Sequence, residues 1–244
     1  MPDYTRLRTP FLNMSFTPDV PSNALGANEY NSGLNVEADV RGIKKIFGEE
    51  EILFAVPGNS IFMEGGFRNA TNFVYIVATR NSSNQGKWYM VTTSNVSNIT
   101  PGIGSNPSVY LSGYVDGLNI TTSWVGNVFF INDTLNNPMY FLPTATEIAY
   151  FTNTAWNYDV GVTQTRAGFV RNFCSPNVGN ILVAGNLTKT SAGIDTNYPT
   201  TIRWSQSFGN QGVPTTWTPT LNNVANEQEV PVRGPLIDGF FLGG

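Results

Sequence analysis

Phe73-Val74-Tyr75-Ile76-Val77-Ala78-Thr79 and Lys87-Trp88-Tyr89-Met90-Val91-Thr92 flank the connection Arg80-Asn81-Ser82-Ser83-Asn84-Gln85-Gly86. The two flanks are rich in β-branched and aromatic residues, which fit a pleated, half-buried surface. The connection is built from Asn, Ser and Gly, whose side chains or lack of one favour tight turns. Together they predict an antiparallel hairpin, the clearest in the chain.

Working outward, the same alternation of strand-length segments and turn signals recurs. On the N-terminal side, Leu34–Val36 and Ile43–Phe47 bracket a turn at Arg41-Gly42, and Ile52–Val56 is closed by Pro57-Gly58-Asn59 before Ser60–Met63. On the C-terminal side the predicted strands are Val109–Val115, Asn119–Thr122, a buried strand over Trp124–Ile131, and Met139–Leu142 after a turn at Asn132–Pro138. Thr146–Phe151 fits either a strand or one helical turn. Phe169–Phe173, Ile181–Ala184, Thr201–Trp204, Thr215–Trp217 and Leu236–Leu242 complete the series. No helical period of 10–15 residues interrupts it, which points to an all-β sandwich, barrel or propeller and not to alternating strands and helices.

A short repeat sharpens this. Val125-Gly126-Asn127-Val128-Phe129-Phe130 matches Val178-Gly179-Asn180-Ile181-Leu182-Val183, and an apolar strand follows each, at Pro138–Leu142 and Pro199–Trp204. Phe73–Thr79 with Lys87–Val91 has the same layout, and Gly239-Phe240-Phe241-Leu242 has the look of a further start. Successive hairpins with this spacing predict an antiparallel β-propeller-like repeat of blades, with a β-sandwich or jelly roll as the alternative. Residues 1–35, punctuated by Pro2, Pro10, Pro18 and Pro21, predict an extended N-terminal arm, leaving 36–244 as the propeller-like domain, either a complete propeller or part of one.

Composition narrows the chemistry. In 244 residues only 12% are charged, against roughly 25% in an ordinary domain. The sequence holds 29 Asn, 26 Thr, 24 Gly and 15 Pro, yet 41% hydrophobic residues suffice for a core. With no histidine, there is no His general base, no Ser-His-Asp triad and no His-ligated metal. One cysteine, Cys174, cannot form an intrachain disulfide or a zinc cluster, and its neighbours predict a buried structural thiol. A net charge of −4 with 13 Lys+Arg argues against a nucleic-acid footprint. The N-terminus carries no signal-peptide pattern and no apolar run is long enough to span a bilayer, so the eight N-x-S/T sequons (Asn13, Asn69, Asn81, Asn95, Asn98, Asn119, Asn132, Asn186) read as products of an Asn- and Thr-rich composition.

Carboxylates are the remaining catalytic candidates. Glu49-Glu50-Glu51 reads as a solvated turn, and Asp116, Asp133, Asp159, Asp195 and Asp238 as residues of turns, where Asp bonds its own backbone. No nucleotide-binding glycine motif and no calcium-loop spacing occurs. Trp88, Trp124, Trp156, Trp204 and Trp217 fall about one per expected blade, a distribution suited to core packing more than to one glycan platform. The residues thus assign no catalytic, cofactor or metal site.

Two stretches carry a resemblance. Tyr30–Val36 followed by Gly42–Gly48 (GIKKIFG), and Thr201-Ile202-Arg203-Trp204-Ser205 followed by Pro214–Pro219 (PTTWTP), resemble elements of tailed-bacteriophage virion proteins of the tail-nozzle and packaged-DNA-stabilisation type. The resemblance implies a β-propeller and a non-enzymatic structural component of a virion, at the tail nozzle, tail or head–tail junction, in a particle assembled in the host cytoplasm. It implies other tail or portal-adaptor proteins as partners, a homo-oligomeric ring, no cofactor, and DNA that passes without specific binding. The chain is shorter than such proteins usually are. A tail-tip or fibre module that binds carbohydrate or a host receptor, and a propeller glycosidase, are the competing expectations.

Overall fold

The computed structural model describes residues 55–175 and 179–239, together with four short strands nearer the N-terminus. The chain divides into two units, Met1–Ile52 and Leu53–Gly244. In the first, β1 (Ser15–Phe16) pairs in parallel with β2 (Glu29–Tyr30), and β3 (Val36–Asp39) forms a hairpin with β4 (Gly42–Lys45). That hairpin is the one expected around Arg41-Gly42. Outside β1 and β2, the expected arm 1–35 lies beyond the described residues. So do Glu49-Glu50-Glu51, the start of the Ile52–Val56 run, and Phe240–Leu242.

The second unit is all-β and consists of three antiparallel meanders. Sheet 1 runs β5 (Asn59–Phe67), β6 (Phe73–Arg80), β7 (Gln85–Val91) and β8 (Val96–Asn98), with β9 (Leu111–Ser112) also on β7. Sheet 2 runs β10 (Thr121–Val125), β11 (Val128–Asn132), β12 (Met139–Phe141) and β13 (Ala149–Tyr150). One helical turn, α1 (Asn153–Trp156), leads into sheet 3: β14 (Val162–Ser175), β15 (Gly179–Ser191), β16 (Ile194–Trp204) and β17 (Asn226–Glu229). Sheets 2 and 3 are each four chain-consecutive strands in order, sheet 1 follows the same order over β5–β8 with β9 added on β7, and the predicted hairpin is β6–β7, with Ala78 opposite Trp88.

The sheets are joined face to face by two cores. Because side chains alternate across a strand, Val74 and Ile76 of β6, with Trp88 and Met90 of β7, point to one face of sheet 1. They meet Phe129, Ile131, Met139 and Phe141 of sheet 2. The intervening residues of β11, Val128 and Phe130, point the other way and meet Val170, Leu182 and Ala184 of sheet 3, together with Trp156 and Trp217. All five residues of β11 are therefore buried.

Several expectations are corrected. Trp124–Ile131 is not one strand: β10 ends at Val125, Gly126 turns with φ +57°, and β11 returns from Val128. Gly179, the glycine aligned with Gly126 by the repeat, also has a positive φ, +84°, and begins β15. The repeat therefore marks a first-to-second-strand connection, and Pro138–Leu142 and Pro199–Trp204 contain third-strand residues. Val109–Val115 contributes only Leu111–Ser112 to a strand, and Thr146–Phe151 only Ala149–Tyr150. Thr215–Trp217 is not a strand, because Trp217 is inserted edge-on against Trp156 (4.6 Å between rings) as a core plug. Leu236–Gly239 is not a strand either; the fourth strand of sheet 3 is the polar Asn226–Glu229.

A Cβ added at Gly126 would fall 1.9 Å from the carbonyl oxygen of Asn210, whereas one at Gly117 (φ +76°) meets nothing within 4 Å. Left-handed backbone costs a side chain about 1–3 kcal/mol. We expect Gly126→Ala to lose more than that range, and Gly117→Ala to stay within it, in urea denaturation. Equal losses would show that strain, and not the Asn210 contact, sets the cost.

Candidate functional site

The first strands of the three sheets lie side by side. Thr122 of β10 donates its hydroxyl to the Glu64 carboxylate of β5, Asn127 donates to the Phe67 carbonyl (3.0 Å), and the Trp124 ring covers Gly66, where a Cβ would overlap it. On the other side, the amides of Val170 and Asn172 in β14 donate to the hydroxyls of Thr121 (3.0 Å) and Ser123 (3.1 Å), and Arg171 donates to the Thr122 carbonyl (2.9 Å). Each pair is 49 residues apart, so β14 repeats β10 in register. The row continues past β14: Arg171 holds Asp238 by two bonds of 2.9 and 2.7 Å. That contact, with help from the Gly239 amide and against the cost of burial, keeps the Asp238 carboxyl below the usual range. Glu64, Thr122, Arg171 and Asp238 thus form a polar line contributed by successive segments.

A second cluster sits in sheet 3. Arg203 has no exposed side-chain surface, yet it reaches Glu227 (2.6 Å), Asp159 (2.7 Å) and the Trp156 carbonyl (2.7 Å), and its guanidinium lies 4.4 Å from the Tyr158 ring. Lys189 bridges the same two carboxylates, at 3.1 Å to Asp159 and 2.7 Å to Glu227. Burial alone would raise the Asp159 pKa, but the bonds and charges of Arg203 and Lys189 outweigh it and lower it. The Tyr158 phenol is pushed up to about 12 by burial and by the two carboxylates, against the charge of Arg203. Glycoside hydrolysis calls for a carboxyl with a raised pKa as the acid; Asp159 is moved the other way.

The other predicted carboxylates are separated. Asp116 pairs with Arg80, and Asp195 with Arg166. Asp133 is fully buried; it accepts the amides of Leu135 (3.0 Å) and Asn136 (2.9 Å) and the Tyr114 hydroxyl (2.9 Å). Tyr114 in turn accepts the Trp88 indole N–H (2.7 Å). The Asp residues expected in turns therefore hold loops or cations. Cys174 is exposed, not buried, because it sits at the β14–β15 tip opposite Asn180. Trp88, Trp156 and Trp217 are fully buried in the two cores, while Trp124 and Trp204 are half-buried. Sequence reading missed the hydroxyl row; its signal was the run Thr121-Thr122-Ser123 at a strand start.

Removing one partner of a buried ion pair leaves an uncompensated charge and costs about 3–5 kcal/mol. We expect Arg203→Ala to lose this much in urea denaturation, and Arg80→Ala, whose partner lies in solvent, to change little. The Asp159 contribution is present above the unfolded carboxyl pKa of about 4 and fades as pH falls below it. An acid titration of the melting temperature should therefore show a fall that Asp159→Asn flattens. No protein-family model matches the chain, and no curated protein matches it.

Proposed function

We propose that the chain is a non-enzymatic structural component of a tailed-phage virion, at the tail nozzle, tail or head–tail junction, with its three sheets serving as blades of a propeller-like stack. The observation that carries this is the shared plan of the sheets. Each is an antiparallel meander in chain order, with first strands β5, β10 and β14 side by side, as propeller blades have. The plan agrees with the resemblance, whose Gly42–Lys45 is β4 and whose Arg203-Trp204 ends β16.

The charges support a conduit or scaffold better than a nucleic-acid binder. Holding phosphates requires available Lys or Arg. Arg80, Arg166, Arg171, Lys189 and Arg203 are each matched to an Asp or Glu. Burial of Trp88, Trp156 and Trp217 removes three of the five tryptophans from any glycan platform.

Electron microscopy of the particle tests the assignment. We expect several copies around the DNA path, in contact with tail or portal-adaptor subunits. Absence from purified particles, or a place at an exposed fibre tip, would overturn it. The purified chain should also leave duplex DNA unretarded in a gel at physiological salt.

A further inference from the structure

A cavity of about 430 Å³ opens at one end of sheet 1, between the β5–β6 turn (Arg68–Asn72) and the β7–β8 turn (Thr92–Asn95). The antiparallel order brings the two turns side by side, because Tyr75 near the start of β6 lies opposite Val91 at the end of β7. Val74 and Met90, both buried, give the cavity an apolar base, and Phe73, 44% exposed, gives it an aromatic wall. The Phe73 ring is braced edge-on by Phe67 and Tyr75, with centroids 5.1 and 5.2 Å away. Arg68 supplies a charge. It donates to the carbonyls of Pro143 and Ala145 and to the Met90 sulfur (3.2 Å). These three acceptors are neutral, and a guanidinium carries more N–H groups than they use. Burial lowers the Arg68 pKa, so an anion beside it would offset a desolvation cost. Both turns are held by their own side chains. The Asn69 side-chain oxygen accepts the amides of Thr71 (3.0 Å) and Asn72 (2.9 Å), and the Thr92 hydroxyl accepts those of Ser94 (3.3 Å) and Asn95 (3.0 Å). The Asn72 side-chain N–H groups and the Thr93 hydroxyl, one on each turn, have no partner among the described residues.

We propose that this cavity binds one acidic sugar unit of a glycan, a pyranose that carries a carboxylate. Each part of such a sugar has a counterpart in the cavity. The carboxylate meets the remaining N–H groups of Arg68, one C–H face of the ring lies on Phe73, and ring hydroxyls reach Asn72 on one turn and Thr93 on the other. A bare anion would leave Phe73 uncovered, and an apolar ligand would leave Arg68, Asn72 and Thr93 unmatched. The volume lies within the range of about 300–1,000 Å³ usual for small-molecule sites, and the mix of an apolar base with a few convergent polar groups is the usual one. Because the turns are already fixed by their own bonds, little ordering is left to oppose binding. A structural subunit can carry such a site, so this activity stands or falls apart from the location in a particle.

The test follows the backbone amides of the full chain by NMR during separate titrations with glucuronic acid, glucose and acetate. We expect glucuronic acid to give saturable shifts centred on residues 68–72 and 92–95, with glucose weaker and acetate weaker still. Phe73→Ala, a change at an exposed ring, should weaken glucuronic acid about tenfold, and Thr93→Val should weaken it less. Arg68→Gln should abolish the preference for glucuronic acid over glucose. If that variant fails to fold, the same preference measured on the unaltered chain still tests the role of Arg68. Shifts that do not saturate, or that centre elsewhere, overturn the proposal. So does equal binding of glucose, which would leave Arg68 no part in recognition. Acetate binding as tightly as glucuronic acid would show an adventitious ion only.

Discussion

The second unit depends on one strand with no solvent side. β11, Val128-Phe129-Phe130-Ile131-Asn132, is buried along its whole length. Its odd and even residues feed different cores, so a change at Phe129 is felt against sheet 1 and a change at Phe130 against sheet 3. A strand buried on both faces cannot alternate polar and apolar residues, and this explains the continuous apolar run. Even its last side chain is used: Asn132 donates across to the Ala167 carbonyl of β14 (3.0 Å), meeting a polar need at the end of an apolar strand.

A chain with so few charges uses them as internal struts. Arg68 is an example that works through carbonyls: it reaches those of Pro143 (2.7 Å) and Ala145 (2.6 Å) and lies over the Phe141 ring, fastening a loop of sheet 2 to sheet 1. Arg203 does the same within sheet 3 and its neighbours, tying β16 to β17, to the segment after α1 and to Lys189 of β15 through shared carboxylates. Buried charges of this kind are weak evidence of net stability. What they fix is relative position, since each guanidinium donates to acceptors on several segments at once.

The class of fold was legible because β6 and β7 combine strong strand composition with an unambiguous turn. Where the reading failed, a local signal was hidden by its surroundings. Gly126-Asn127 lies inside the apolar run Trp124–Ile131, and the run masked the turn that Gly126 makes with positive φ. β14 and β15 extend well beyond the expected Phe169–Phe173 and Ile181–Ala184, because their distal halves are mostly polar and reach the core only through isolated residues such as Ala167 and Leu187, too few to give an apolar run. β17 reads Asn-Glu-Gln-Glu and forms an edge, held by its ladder to β16 with no apolar pattern to announce it. Trp217 erred in the other direction: its hydrophobicity was read correctly, but it fills a core without joining a sheet. The polar clusters were least legible, because Asp159, Lys189, Arg203 and Glu227 are drawn from four places in the sequence.

The hydroxyls of Thr121 and Ser123 explain how three meanders can lie so close without fusing. Adjacent strand edges with free amides and carbonyls pair readily into one sheet. If β10 and β14 did so, sheets 2 and 3 would become a single surface, and Phe130 could not face Leu182 across a core. Here the β14 amides of Val170 and Asn172 are met by side-chain oxygens on β10 in place of backbone carbonyls. The amides are satisfied, and the two strands remain edges of separate sheets, each able to turn its apolar face to the next. The Glu64–Thr122 contact gives β5 and β10 a side-chain link of the same sort. The excess of threonine that first signalled strands therefore also holds first strands together while keeping their sheets distinct.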